Sequence, residues 1–164
     1  LDHIWTPWRM KYIQENKDFE GCIFCLAAES EDDVDNLVFY RGENAFMILN
    51  RYPYTNGHVM CVPYAHKARL QDLTLETRIE IMELTTKAVQ VLQSVYQPEG
   101  FNVGLNLGEM AGAGIEQHLH MHIVPRWGGD TNFMSCIGET RILPESLDQT
   151  FRRVKQAWEK FGES

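Results

Sequence analysis

The sequence predicts an α+β domain: a five-stranded, mainly antiparallel sheet with one long helix packed on it and a second helix at the C-terminus. Three observations carry this expectation. Short apolar runs separated by turn-sized gaps fill residues 37–62, a stretch of helical periodicity covers residues 74–97, and residues 118–124 alternate histidine with apolar side chains. At 164 residues, the chain is expected to form a single domain over 1–164, since a domain takes roughly 150 residues.

The first strand is expected at 37–40 and the second at 45–49. The gap between them, Arg41-Gly42-Glu43-Asn44, is hairpin-sized, so the two pair antiparallel. A third strand at 58–62 follows the turn-rich Tyr52-Pro53-Tyr54-Thr55-Asn56-Gly57. Thr74 suits a helix N-cap, with Glu76 in the first turn, and Pro98 stops that helix after Gln97. Ile81, Thr85, Ala88, Leu92 and Val95 share one face of it, as packing on one side of a sheet requires. Residues 101–107 and 118–124 read as two more strands. Pro144 can open the last helix at its first position, where its missing N–H costs nothing. Leu147, Phe151, Val154, Trp158 and Phe161 line the buried stripe of that helix, and Gly162 ends it. The acidic run at 29–35 reads as a solvated connector.

Composition narrows the partners. Apolar residues at 44% and charged residues at 23% exclude a disordered chain. No apolar run reaches the ~18 residues of a membrane helix, so no membrane association is expected. Fifteen basic against twenty-three acidic residues, a net charge of −8, lacks the basic footprint of a general nucleic-acid binder. No secretory signal is visible. Four cysteines (Cys22, Cys25, Cys61, Cys136) are too few for a disulfide scaffold, so a cytosolic location is expected and the close pair Cys22/Cys25 reads as metal-binding or redox-active.

The strongest chemical signal is His118-Leu119-His120-Met121-His122-Ile123. On a strand the three imidazoles line one surface and the apolar residues the other. Chance gives this spacing in about one of a hundred chains of this composition. Half-exposed strand histidines and a plain three-histidine metal site are the plainer readings, but neighbours on one strand face make a poor tripod for a tetrahedral ion. Crowded, partly buried imidazoles stay neutral, and a neutral imidazole is a nucleophile near pH 7. Cys22-Ile23-Phe24-Cys25 offers half of a zinc tetrahedron or a redox pair; His66, His58, His3 and the triad are the imidazoles that could complete a zinc site. The segment from Asn50 to Val59, with Arg51, reads as ribose or phosphate contacts or as a surface turn. The glycine-rich loop from Gly108 to Gly114 could bring backbone N–H groups to phosphate oxygens.

Together these residues resemble the histidine-triad (HIT) superfamily of nucleotidyl hydrolases and transferases, from Cys22 to about Phe133. The central motif His118-Leu-His120-Met-His122-Ile-Val124, followed by Pro125-Arg126, carries the match. The run from Ala45 through Asn50-Arg51 and Gly57-His58-Val59 to Pro63 is similar to the nucleoside-binding half of the fragile-histidine-triad branch. Residues 5–13 and 126–133 are similar to bacterial members that act as diadenosine tetraphosphate phosphorylases. The resemblance implies the HIT fold and cleavage of diadenosine polyphosphates or related nucleoside 5′-phosphates, with water or phosphate as acceptor. The catalytic set would be His118, His120 and His122: His120 the nucleophile, its second nitrogen tied to the carbonyl of His118, and His122 assisting the leaving group. Nucleotide binding falls to Asn50, Arg51, Asn106, Gly114 and Gln117 with His120 and His122, and Arg51 and Arg126 are candidate helpers at the phosphoryl centre. A structural zinc ion would be held by Cys22, Cys25, His66 and His118, in a metal-binding segment at about 20–30 clamped to the triad strand at about 118–124. A homodimer is expected by the same resemblance. Relatives often carry Ser or Thr where this chain has Ile115, so a hydroxyl contact to phosphate is missing there. A nucleoside phosphoramidase and a non-catalytic, zinc-stapled nucleotide sensor or adaptor are the alternatives.

Overall fold

The computed structural model describes residues 21–130 and 143–161. Residues 5–13 and 131–133, His3, Cys136 and Gly162, on which expectations above touch, lie outside them. The elements run α1 (Ile23–Glu29), β1 (Val38–Arg41), β2 (Ala45–Leu49), β3 (Val59–Pro63), α2 (Leu75–Tyr96), β4 (Gly100–Leu105), β5 (Met121–Arg126) and α3 (Leu147–Lys160), with 3-10 turns at Leu70–Asp72 and Glu109–Ala111. The strands form one sheet in the order β1-β2-β3-β5-β4, antiparallel throughout. The α+β class holds, and inserting β5 between β3 and β4 places the histidine strand inside the sheet.

β2 and β3 are buried at every position. α2 packs on β2, β3 and β5, and α3 packs on α2 and β1. Thr74 caps α2 by accepting the Thr77 N–H, and Gln97 ends it in the left-handed region just before Pro98. Ile81, Thr85, Ala88 and Leu92 are buried along its inner face as expected, while Val95 is only partly covered.

Several boundaries differ from expectation. The triad strand joins the ladder at Met121 rather than His118, because the Leu119 N–H donates to the Lys67 carbonyl (2.7 Å) instead of to β3. β4 stops at Leu105, which leaves Asn106 and Leu107 beyond the strand. α3 starts at Leu147, not Pro144; Ser146 accepts the Gln149 N–H and Gln149 accepts the Ser146 N–H in a capping box, a Ser-x-x-Gln signal readable in the sequence. Phe161 ends α3 and is 41% exposed, so it does not belong to the buried stripe.

The sequence reading also missed α1. Seven residues are too few for an isolated helix to persist. Here Arg41 of β1 supplies the missing C-terminal cap, donating to the carbonyls of Ala27 (2.8 Å), Ala28 (2.7 Å) and Ser30 (2.8 Å) while bonded to Asp33.

Candidate active site

The sheet register assembles the floor of the site. Ile48 pairs with Met60, and Met60 with His122, so the three share one face, and all three line a cavity of about 290 Å3. Above them the segment between β2 and β3 crosses toward β5, where the Thr55 hydroxyl donates to the Pro125 carbonyl (2.7 Å). α1 forms a further wall through Ile23, Phe24, Leu26 and Ala27.

His120 borders this cavity, 7% exposed. Its Nδ1–H donates to the His118 carbonyl at 2.8 Å. That bond fixes the tautomer and leaves Nε2 with the lone pair. Burial holds the ring below the usual histidine pKa, against the opposing pull of the same hydrogen bond, so His120 is uncharged at neutral pH. The Phe24 ring lies 5.0 Å from it and the His122 ring 4.8 Å. A neutral, oriented imidazole beside a cavity is the equipment of a nucleophile.

His122 owes its state to His58, which the sequence reading placed in the nucleoside-binding run and among the possible metal ligands. The Tyr54 N–H donates to His58 Nδ1 (3.1 Å), so neutral His58 carries its proton on Nε2. That proton points to His122 Nδ1 at 2.9 Å, and His122 in turn keeps its own on Nε2. His58 is fully buried, at 1% exposed. The signal was available, since His58 alternates with Met60 along the strand run, but nothing in one sequence says which imidazole it faces.

His118 turns the other way. Its Nε2–H donates to the Pro63 carbonyl (2.8 Å), which aims Nδ1 at the cysteines, 3.3 Å from Cys22 Sγ and 3.6 Å from Cys25 Sγ. His66 Nδ1 lies 3.2 Å from Cys25 Sγ, and the four donor atoms fall within 4.8 Å of one another. Zinc bonds of about 2.0–2.3 Å in a tetrahedron give ligand separations of about 3.3–3.8 Å; the three contacts above, at 3.2–3.6 Å, match these, and a small inward shift brings the rest of the donor set to that ion. The Pro63 carbonyl supplies the outer hydrogen bond that metal-bound imidazoles ordinarily have. Burial, then the neighbouring Cys22, push the Cys25 thiol up to about 11. The expectation that all three triad histidines share one surface is corrected here: His118 serves the cysteine cluster, and His120 and His122 serve the cavity.

The remaining candidates divide. Asn50, Arg51, Asn106 and Gly114 line the cavity with His120 and His122. Arg51 donates to the Asp35 carbonyl (2.6 Å), which pins it at the rim. Gln117 is exposed and lines neither of the two large cavities. Arg126 is absent from the His120 cavity; Asp130 and Asn102 hold it at the far end of β5. Ile115 packs against the core, as an apolar residue at that position should.

A sheet-borne histidine cluster beside a cavity and a cysteine–histidine tetrad defines a histidine-triad protein. The HIT domain model matches residues 31–129, and the chain belongs to the HIT family. It is 42% identical over 165 residues to the AP-4-A phosphorylase of Mycobacterium tuberculosis, across 96% of this chain and 85% of that protein. The asymmetrical bis(5'-nucleosyl)-tetraphosphatase of Schizosaccharomyces pombe is 33% identical over 101 residues, 62% of this chain and 55% of its own. Among solved structures, a zinc-bound histidine triad family protein from Mycobacterium smegmatis shares the fold, with a TM-score of 0.69 at 23% identity over 87% of this chain and 96% of that one.

Proposed function

We propose that this protein is a nucleotidyl hydrolase or transferase that cleaves diadenosine polyphosphates by adenylyl transfer through His120. One observation carries the reading: a buried His120 whose Nδ1–H is tied to the His118 carbonyl, which leaves Nε2 as the lone-pair atom of a ring lining the cavity. The Nε2 lone pair attacks the α-phosphorus, a P–N bond forms, and the P–O bond to the leaving half breaks. His122 Nε2–H gives its proton to that departing oxygen. Water or inorganic phosphate then attacks the phosphorus, gives its proton to His122 Nε2, breaks the P–N bond and restores both imidazoles. Asn50 and Arg51 at the rim hold the ribose side, Asn106 and Gly114 approach the phosphate, and the apolar α1 wall takes the base. The relatives named for tetraphosphate phosphorolysis and hydrolysis support the substrate class.

Zinc on Cys22, Cys25, His66 and His118 would be structural, closed by four protein ligands, and would fix α1 against the residues that precede β5. The Phe24 ring, 5.5 Å from His118 and 5.0 Å from His120, then transmits that fixation to the nucleophile. A homodimer is part of the same reading, and β4, an edge strand with Val103 44% exposed, leaves a sheet edge for it. A cytosolic location is also part of it; no described helix is long and apolar enough to cross a membrane.

Rapid-quench labelling with α-labelled diadenosine tetraphosphate tests the chemistry. An acid-labile protein adduct is expected, absent from His120→Ala. Neither adduct nor turnover across several adenylated substrates would overturn the reading in favour of a nucleotide sensor. ADP plus ATP in the presence of phosphate marks phosphorolysis, and AMP plus ATP marks hydrolysis; two ADP would mean attack at a β-phosphorus and would overturn adenylyl transfer.

A further inference from the structure

A second cavity, of about 960 Å3, opens beyond His122. His122, Tyr54 and Asn106 border both cavities, whereas His120 borders only the smaller one. The nucleophile therefore looks into one chamber, while its proton donor stands at the junction of two. A group that departs past His122 passes into the larger chamber. We propose that this chamber is the subsite for the leaving half of the substrate, a nucleoside carried on a polyphosphate; the inference rests on the adenylyl-transfer reading above.

Strand geometry gives the chamber a length. His122, Val124 and Arg126 alternate on one face of β5, and all three border the chamber. At about 6.8 Å per two residues, Arg126 lies roughly 13–14 Å along the strand from His122, room for a run of phosphates laid over Val124. Arg126 closes that run. Three of its five N–H groups are engaged, two by Asp130 and one by Asn102, which leaves two for phosphate oxygens.

The far walls suit a nucleoside. Trp127 is partly exposed there, and the Arg153 guanidinium lies 4.9 Å over the Tyr96 ring while bonded to Glu145 at 2.8 Å. Each arginine is matched by a carboxylate, so this wall is nearly neutral and offers flat faces for stacking a base. The chamber is about three times the volume of its neighbour, in keeping with a leaving half that carries more phosphates than the adenylyl half.

The test compares two ligands on Trp127→Ala and Arg153→Ala, residues that touch neither His120 nor His122. Diadenosine tetraphosphate needs both chambers; AMP, measured as a competitive inhibitor, fills the smaller one alone. The KM for the dinucleotide should rise about tenfold, the order of one lost stacking contact. The inhibition constant of AMP should stay within about twofold of the parent. Arg153, with its side chain 52% exposed, serves should Trp127→Ala fail to fold. Equal rises for both ligands, or no rise for the dinucleotide, overturn the subsite while the chemistry at His120 stands. A parent protein that does not turn over the dinucleotide overturns the adenylyl-transfer reading and the subsite with it.

Discussion

Replacing His58 with Phe keeps a ring of similar size in its buried place and removes both of its nitrogens. The hydrogen bonds from Tyr54 N–H to Nδ1 and from Nε2–H to His122 go, with the 3.4 Å contacts of Asn50 Nδ2 to the ring nitrogens. The stranded Tyr54 N–H costs about 1–3 kcal/mol. Against a total stability of about 5–15 kcal/mol the fold survives, with a melting point lower by about 5 °C. The kinetic effect is larger. Without His58, His122 can adopt the tautomer that carries its proton on Nδ1, and Nε2 then has nothing to donate to the leaving group. General acid catalysis contributes about 10²–10⁴-fold, so His58→Phe should lose at least about 10²-fold in kcat/KM where the departing group must be protonated. Adenosine 5′-phosphoramidate is such a substrate, and adenosine 5′-p-nitrophenyl phosphate, whose phenolate departs unaided, is the control. The variant should lose far more on the first than on the second. Equal losses on the two, in a variant shown to be folded by its thermal melt, would refute the tautomer relay.

Three further outcomes follow from other parts of the molecule. Metal analysis should give about one zinc per chain, falling in Cys22→Ser and His66→Ala with loss of thermal stability, because a structural ion contributes folding free energy; metal-free protein of unchanged stability would remove the tetrad as a zinc site. Burial opposes ionisation of Glu145, but hydrogen bonds from Tyr96 (2.6 Å), Arg153 (2.8 Å) and Thr150 (3.0 Å) outweigh it and hold the carboxyl below its usual range. Its stabilising contribution is therefore present above the unfolded carboxyl pKa of about 4.5 and lost as pH falls through the depressed folded value; Glu145→Gln should flatten that limb in urea melts, and an unchanged limb would exclude the clamp. Gly57 sits at φ 75°, and an added Cβ would lie 2.9 Å from a Tyr96 ring carbon. Gly57→Ala should cost about 2 kcal/mol, seen as a lower urea midpoint at constant slope.

Much of the framework was readable because it is decided by residues near one another in the chain. Helix α2 has its cap, its apolar face and its proline stop within residues 74–98, and the β1–β2 hairpin needs only the short turn between its strands. The helix α1 was not readable, because its cap comes from Arg41 rather than from its own end. The start of β5 was not readable either, since period-two alternation runs unbroken through residues 118–124 and gives no sign of where pairing with β3 begins.

The family, the sheet class and the short list of imidazoles and thiols able to do chemistry follow from residue type and spacing, which carry that information directly. How those groups divide their work is settled by packing between distant parts of the chain. Cys22 meets His118 across 96 positions of chain, and His58 meets His122 across 64. Contacts at such separations, with the backbone groups that bond His58, His118 and His120, choose which nitrogen holds a proton and which cavity it faces; side-chain direction at that range is a property of packing, and the local pattern of one chain does not encode it.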